Sequence, residues 1–206
     1  MSAYRVRPAT EADAAAICRI YNQGIEDRVA TLETELRTPD ERRQWLAAKG
    51  PKHPVIVAEI AEPEPQAASK RSGETEPATV SNRPPTAIAG HARPATTAPA
   101  TTVAWGSLNQ FNPREAYRHV VDFSIYVERS YRGKGVGRVV LTRLVELARE
   151  HGYHKMVLSA FPDNTGGMAL YEKLGFRTVG IYREQGMLDG RWVDTIIMEK
   201  LLEPRP

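Results

Sequence analysis

The apolar residues of this chain recur with the period of a strand in some segments and with that of a helix in others. Over 119–127 they are dense enough for a buried strand, whereas over 138–150 they recur at spacings of three and four, which predicts an amphipathic helix. Further strands are predicted near residues 4–7, 54–59, 103–108, 155–160, 178–183 and 192–201, and further helices near 11–22, 38–50 and 164–174. Since only one strand–helix–strand unit stands out, the pattern predicts a mixed α/β sheet.

The segment from about Ile60 to Thr102 interrupts this pattern. It is rich in Ala, Pro, Thr, Ser and Glu and has hardly any large apolar side chain. Such a composition cannot bury enough surface to offset the entropy of ordering, so we predict a disordered insertion at about 60–102 within a single domain spanning 1–206. The flanking strands would then pair as a hairpin. The insertion is either a tolerated lengthening of a surface loop or a segment that binds a partner.

Charge and cysteine content narrow the class of protein. The formal net charge is +3, which does not indicate a nucleic-acid-binding protein. No stretch approaches the roughly 20 apolar residues of a membrane span, and the N-terminus has no apolar signal core. Cys18 is the only cysteine, and its apolar helical surroundings predict a buried residue rather than a nucleophile. We therefore expect a cytoplasmic protein without membrane or nucleic-acid partners, and without metal, since the five histidines lack ligand spacing.

A basic, glycine-rich loop lies between the strand at 119–127 and the helix that follows it. Glycines at such a junction let several backbone N–H groups turn inward as an anion nest, and the helix dipole adds partial positive charge. The loop region contains Gly133, Gly135 and Gly137 together with the cations Arg129, Arg132, Lys134 and Arg138. This pattern predicts a phosphate or pyrophosphate ligand; the alternative is a turn that carries solvated cations.

The spacing within this loop distinguishes between phosphate-binding motifs. It fits neither the Gly-x-x-x-x-Gly-Lys-Ser/Thr loop of nucleoside triphosphatases nor the Gly-x-Gly-x-x-Gly dinucleotide fingerprint. Arg132, Gly135 and Gly137 do match the Arg/Gln-x-x-Gly-x-Gly/Ala loop of the GNAT superfamily of N-acetyltransferases. Downstream, Asn164 and the Tyr-Glu-Lys-Leu-Gly-Phe segment at 171–176 look like the second signature of that superfamily. With both motifs, the chain resembles a GNAT enzyme.

The resemblance implies a mixed, mostly antiparallel central sheet with flanking helices, and acetyl-CoA as co-substrate. In this superfamily the loop amides hold the pyrophosphate, the asparagine contacts the pantetheine arm, and a backbone N–H of the preceding strand stabilises the oxyanion. The implied cofactor-binding residues are Ile125, Tyr126, Val127, Arg132, Gly133, Lys134, Gly135, Val136, Gly137, Arg138 and Asn164. Tyr171 would protonate the leaving thiolate; the alternative is an ordinary core tyrosine.

Other segments look like phosphinothricin and arsinothricin acetyltransferases, which cap the amino group of a small amino acid and form homodimers. The similarity lies in residues 5–13, 20–26, 112–117 and 121–127 and covers the chain except about 60–102, where those relatives have a tight turn. Two positions depart from the phosphinothricin enzymes, because Asp122 stands in place of Glu and Tyr171 in place of His.

The resemblance also provides candidates for the acceptor side. The substrate ammonium must lose a proton before it attacks, and Asp122 is the candidate general base, directly or through a water. Arg114 aligns with a substrate-side arginine and would hold an anionic or tetrahedral group. Asn22 and Thr31 lie in the segment that forms the acceptor side in relatives. Asp122 and Arg114 each have a purely structural alternative, namely a strand-entry aspartate and a solvated loop arginine, and Asn22 and Thr31 are weaker candidates.

Two other functions remain open at this point. A protein N-terminal or polyamine acetyltransferase would share the cofactor site, and the acids Glu26, Asp27, Glu33 and Glu35 could face a polyamine. A module that senses acetyl-CoA without turnover would bind the cofactor and recruit a partner through the insertion. The segments around Asn22 and Arg114 favour the small amino acid, such as phosphinothricin, arsinothricin or methionine sulfone.

Overall fold

A seven-stranded sheet runs through the residues that the structure, a computed structural model, describes, namely 3–60 and 101–202. Its strands are β1 (Tyr4–Pro8), β2 (Val55–Ile60), β3 (Thr102–Gln110), β4 (Val120–Val127), β5 (Lys155–Ala160), β6 (Arg177–Leu188) and β7 (Arg191–Leu201). Their order is β1-β2-β3-β4-β5-β7-β6, and every neighbouring pair is antiparallel except β4 and β5. The predicted mixed, mostly antiparallel sheet is confirmed.

In the described ranges, four α-helices flank the sheet: α1 (Ala14–Glu26), α2 (Pro39–Ala47), α3 (Val136–Glu150) and α4 (Thr165–Lys173). Helix α2 begins where the sequence predicts, because Thr38 and Glu41 form a capping box and Pro39 occupies the first turn. Helix α1 continues past the predicted end at Asn22. Gly24 allows this extension to pack closely, since a Cβ there would lie 3.0 Å from the ring of Tyr126 on β4.

Side chains alternate between the two faces of the sheet, so each face has its own apolar cluster. Helix α3 packs on the face that carries Val121 and Phe123 of β4, and Tyr171 of α4 joins the same cluster. Helix α1 packs on the opposite face through Ile17, Ile20, Tyr21 and Ile25, against Val57 and Trp105. Polar residues 122 and 124 of β4 therefore share the α1 face with Tyr126.

Strands β2 and β3 pair along their length as the predicted hairpin. Trp105 lies opposite Val57, and the N–H of Ile60 donates to the carbonyl of Thr101 at the last described residues of the hairpin. The strands reach slightly further into the predicted insertion than the sequence indicates, since Ile60 and Thr102 belong to them. The prediction of disorder otherwise falls on residues 61–100, which lie outside the described residues. No helix among the described residues has the length and apolarity of a membrane span.

Candidate active site

The parallel strands β4 and β5 pair over three positions and then separate. Val120, Val121 and Asp122 pair with 155–157, but β5 continues to Ala160 and β4 to Val127 without further pairing to each other. The N–H of Glu128 donates to Val103 on the β3 side. Because successive residues of a strand point their N–H groups to opposite edges, the N–H groups of Ile125 and Val127 face the gap.

The glycine-rich loop closes one end of this gap with its backbone amides exposed. Gly133 and Gly135 have φ values of +75° and +84°, and a Cβ at either position would meet no atom within 4 Å. The N–H groups of Gly133, Gly135 and Gly137 have no hydrogen-bond acceptor among the described residues. They precede or begin the 15-residue helix α3, so together with the partial positive charge of the helix they form a candidate anion-binding site.

Two cations of the loop form ion pairs with the same carboxylate. Asp27, at the end of α1, accepts from Nη1 of Arg132 at 2.5 Å and from Nη2 of Arg129 at 2.6 Å. Hydrogen bonds from Arg129 lower the pKa of the Asp27 carboxyl, although burial opposes them. Nε of Arg132 also donates to the carbonyl of Val127 at 3.2 Å. The motif arginine therefore fixes the loop against α1 and the end of β4.

The other two cations of the loop have no carboxylate partner within the described ranges. Lys134 lies 5.0 Å from the ring centroid of Tyr131, and Arg138 is exposed on the first turns of α3. Their charges therefore stay available to a phosphate at the loop. With the amides of the glycines, they fit the pyrophosphate group that the sequence motif implies.

Helix α4 places the second signature at the far side of the gap. Asn164 caps this helix, since its Oδ1 accepts from the N–H of Gly167 at 3.0 Å, which leaves the amide NH₂ without a partner among the described residues. Tyr171 is buried and packs edge-on against Phe123 at 6.0 Å between ring centroids. Its hydroxyl has no hydrogen-bond partner in residues 3–60 and 101–202. Burial raises the pKa of Tyr171 to about 12, with Asp122 adding to the effect, so the group keeps its proton.

Asp122 lies where the strands begin to separate, because it is the last residue of β4 that pairs with β5. Burial raises the pKa of its carboxyl to about 6, against the backbone N–H of Phe123 and the charge of Lys49, which lower it. The pKa of Lys49 falls to about 8 because that ammonium is itself buried. A carboxylate with a pKa near 6 is ionised at neutral pH and still basic enough to accept a proton.

A cavity of about 400 Å³ lies on the α1 face of β3 and β4. Asn109 and Ser124 form part of its wall, and Nδ2 of Asn109 donates to Oγ of Ser124 at 3.0 Å. The remaining wall is aromatic and charged, and consists of Tyr21, Glu33, Arg37, Glu41, Arg42, Trp45, Trp105 and Tyr126. Ser124 follows Asp122 by two positions on the same face of β4, so the cavity adjoins the candidate base.

The three predicted substrate residues lie in different surroundings. Arg114 is exposed at the start of a short 3-10 turn (Glu115–Tyr117) and does not line the cavity. Asn22 uses both ends of its amide on the backbone of Arg37, donating to its carbonyl and accepting from its N–H at 2.9 Å. Oγ1 of Thr31 accepts from the N–H of Glu33 at 3.1 Å, and Glu33 is a cavity residue. These positions connect Asn22 and Thr31 to the cavity wall through neighbours, and separate Arg114 from it.

Comparison with known proteins identifies the family. Residues 56–176 match the family model described as the acetyltransferase (GNAT) family, a span that contains both motifs. The chain belongs to the acetyltransferase (GNAT) family. This membership confirms the resemblance drawn from the loop and from the 164–176 signature, and makes the chain an acyltransferase.

Relatives within the GNAT family extend over nearly the whole chain. An L-methionine sulfoximine/L-methionine sulfone acetyltransferase of Pseudomonas aeruginosa is 34% identical over 97% of this chain and 95% of its own length. The L-amino acid N-acyltransferase MnaT of Escherichia coli is 28% identical over 97% of this chain and 95% of its own. A phosphinothricin acetyltransferase of Sinorhizobium meliloti, solved with acetyl-CoA, superposes with a TM-score of 0.74 at 25% identity, covering 98% of this chain and 89% of that one.

Several residues of this GNAT site were not found from the sequence. Arg42 and Trp45 of α2 line the cavity, and Lys49 and Asn109 lie beside Asp122. In the sequence α2 is a mostly polar helix, and nothing there distinguishes the buried Arg42 from the exposed Arg43. A Lys and an Asn that are far apart in the chain also carry no spacing signal. Such residues are recognised only once the sheet brings β3 beside β4.

Proposed function

We propose that this GNAT enzyme transfers the acetyl group of acetyl-CoA to the α-amino group of a small amino acid whose side chain carries a tetrahedral, oxygen-bearing group. Methionine sulfone, methionine sulfoximine, phosphinothricin and arsinothricin are such substrates, and their acetylation would detoxify them. The observation that carries the proposal is the cavity of about 400 Å³, which adjoins Asp122 and has aromatic side chains and charges of both signs in its walls. Relatives that cover almost the whole chain are named for substrates of this size and chemistry.

The cofactor site is proposed to consist of the loop amides of residues 133–137, the cations Lys134 and Arg138, the strand edge at 125–127, and the amide of Asn164. When bound, acetyl-CoA supplies an activated acetyl group and a thiolate leaving group. The unpaired N–H groups of the loop would hold its phosphates. Arg132 would act indirectly, since its contacts with Asp27 and Val127 keep the loop in place.

Asp122 is proposed as the general base for the acceptor amine. The α-ammonium of a free amino acid has a pKa well above neutral pH, so it is mostly protonated there and must lose a proton to become a nucleophile. The Asp122 carboxyl, with its pKa near 6, is ionised under the same conditions. Because Asp is shorter than the Glu of phosphinothricin enzymes, a water held by Ser124 and Asn109 would relay the proton.

Two donors are proposed to complete the transfer. The N–H of Val127 faces the gap between β4 and β5, where it would stabilise negative charge that develops on the thioester oxygen. Tyr171 keeps its proton because burial raises its pKa, and its hydroxyl would donate that proton to the departing sulfur. Together with Asp122, these groups would let direct acyl transfer proceed without a covalent enzyme intermediate.

The first test is a thiol-release assay with acetyl-CoA and a panel of acceptors. The panel contains methionine sulfone, phosphinothricin, arsinothricin, spermidine and a short peptide. The proposal expects rapid turnover confined to the first three. Turnover of spermidine or the peptide alone would contradict the proposed substrate class, and tight acetyl-CoA binding with no turnover of any acceptor would favour a sensing module.

We also propose a homodimer that forms through the hairpin of β6 and β7. Large apolar side chains are exposed along it: Val179, Ile181, Tyr182, Met187, Trp192 and Leu201, with Trp192 at 60%. A concentration of exposed apolar side chains on one hairpin is typical of an interaction site. Light scattering should give twice the chain mass, and Ile181→Lys with Trp192→Asp should reduce it to the monomer mass.

A cytoplasmic location stays a prediction.

A further inference from the structure

Two residues that line the cavity each have a buried hydrogen-bond donor without an acceptor. Arg42 is 9% exposed and Trp105 only 1%, and neither Nε of Arg42 nor Nε1 of Trp105 has a partner in the described part of the chain. Both residues line the cavity that contains Ser124 and Asn109. A donor removed from water without an acceptor is destabilising, so two at one cavity indicate that a bound group supplies the acceptors.

The charge of Arg42 is also not neutralised by a neighbouring carboxylate. Arg37 pairs with Glu33 and Glu41, and Arg43 pairs with Asp40 and Glu11. Arg42 takes part in no ion pair within residues 3–60 and 101–202. Its guanidinium lies over the ring of Tyr21, 3.9 Å from the centroid, and 5.4 Å from that of Trp45. The rings fix its position but accept no conventional hydrogen bond, so its N–H groups remain available.

The side chain of Trp105 is also fixed by its neighbours. Its ring stacks on Tyr126 at 4.9 Å between centroids and meets Trp45 edge-on at 5.6 Å. An indole N–H can only donate. Since the indole and the guanidinium belong to residues of one cavity, a ligand group with at least two acceptor oxygens would suit both.

We propose that Arg42 and Trp105 together bind a group with two oxygens on one atom, as in a carboxylate, sulfone or phosphinate, and thereby select the acceptor. The inference rests on the proposed function, since it identifies which residues of the cavity recognise the amino acid. The two sources of such a group in the acceptor are its α-carboxylate and its tetrahedral side-chain group.

The test is a calorimetric titration of the full-length protein with three probes. L-Methionine sulfone carries both groups, L-methionine lacks the sulfone, and L-methionine sulfone amide lacks the carboxylate. The variants are Arg42→Met, Arg42→Lys and Trp105→Phe, and Arg43→Met is the matched control from the same helix. Thermal unfolding checks that each variant is folded, and Arg42→Lys keeps a cation over Tyr21 in case Arg42→Met does not fold.

Arg42→Met should weaken methionine sulfone binding by about 10- to 100-fold and Trp105→Phe by about 3- to 10-fold, whereas Arg43→Met should stay within about twofold of the wild type. Arg42→Lys should be intermediate. A probe that lacks the recognised group should bind the wild type and the variants with the same affinity. The probe that behaves in this way therefore shows whether Arg42 and Trp105 bind the sulfone or the carboxylate.

Four results would overturn the inference. Equal effects of Arg42→Met and Arg43→Met would mean that Arg42 has no special role, and equal weakening of all three probes would mean that Arg42 only shapes the cavity. If Arg42→Met and Trp105→Phe both bind methionine sulfone as tightly as the wild type does, the two donors do not recognise the acceptor, and the proposed function is left intact. A wild-type chain that binds no probe and acetylates no amino acid would refute both.

Discussion

Nζ of Lys49 lies 2.7 Å from Oδ1 of Asn109, and Asn109 stands directly opposite Asp122 in the register of β3 and β4. The ammonium also donates to the carbonyl of Leu108 at 3.2 Å, and Oγ of Ser107 donates to Oδ1 of Asn109 at 2.9 Å. A positive charge is thus fixed beside the candidate base by a network that reaches the cavity through Asn109 and Ser124. It favours the ionised form of Asp122 and opposes the effect of burial.

Replacing Lys49 with Met should move the acid limb of the pH profile of kcat/KM to higher pH. In the wild type, activity should fall as the pH drops through about 6, where the Asp122 carboxyl takes up a proton. Without the nearby positive charge the pKa of Asp122 rises, so the limb should shift upward by about 1 unit. Lys52→Met is the control, because that side chain is exposed. An unshifted limb in Lys49→Met would show that Lys49 does not act on the base.

Asp122→Asn should lower kcat/KM by about 10²- to 10⁴-fold while the KM for acetyl-CoA stays close to that of the wild type. The amide cannot accept the proton of the acceptor ammonium, but it keeps the shape of the carboxylate. Raising the assay pH should recover part of the loss, because more of the amine is then deprotonated in solution. Asp122→Glu, which restores the residue found in phosphinothricin enzymes, should keep most of the activity. Equal loss in both variants, without recovery at high pH, would argue for a local structural aspartate.

Tyr171→Phe should lower kcat by about 10²-fold with little change in the free energy of unfolding. The ring contacts with Phe123 and Phe176 are kept, and the hydroxyl that is removed has no partner among the described residues. Tyr153→Phe provides the contrast, because the hydroxyl of Tyr153 donates to the carbonyl of Lys52 at 3.1 Å. That variant should lose about 1 kcal/mol of stability and keep its kcat. Chemical denaturation and steady-state kinetics on both proteins would separate a catalytic tyrosine from a core tyrosine.

Elements whose apolar residues recur with a regular period were predicted well, whereas elements in which that period is interrupted were not. The strand predicted at 155–160 has those bounds in the structure, and the long helix differs only at its first turn. Strand β6 was predicted at 178–183 but runs to Leu188. Its register shifts between Tyr182 and Gly186, and Glu184 has a φ of +52°, so the alternation expected of a strand is lost there.

The candidate site likewise has one part that the sequence predicts and another part that it does not. The loop at 129–137 was recognised because its chemistry depends on glycines and cations a few positions apart, where spacing alone carries the information. The acceptor cavity depends on α2 packing against β3 and β4, so Arg42 and Trp105 meet only through tertiary structure. The sequence also could not reveal that both amide atoms of Asn22 are used on the backbone of Arg37.

Gly135→Ala should raise the KM for acetyl-CoA several-fold more than the KM for the acceptor. Gly135 has a φ of +84°, a conformation that costs an L-residue roughly 1–2 kcal/mol, so the loop would rearrange and misdirect its amides. Gly50→Ala is a matched control, since a Cβ there meets no atom within 4 Å and its φ is not in the left-handed region. Equal KM values for acetyl-CoA in the two variants would show that the loop does not contribute to cofactor binding.

Asn22→Ala should destabilise the protein by about 1–3 kcal/mol, because it leaves the N–H and the carbonyl of Arg37 without the Asn22 amide. Those two bonds hold residues 31–37 near the end of α1, and this segment supplies Glu33 and Arg37 to the cavity wall. A structural role therefore predicts a lower unfolding temperature together with a raised KM for every acceptor. A direct substrate contact instead predicts an unchanged unfolding temperature and a raised KM only for the acceptor it recognises. Gln44→Ala, which removes an exposed amide from α2, controls for the loss of a polar side chain. Thermal unfolding and acceptor kinetics on the two variants decide between these roles.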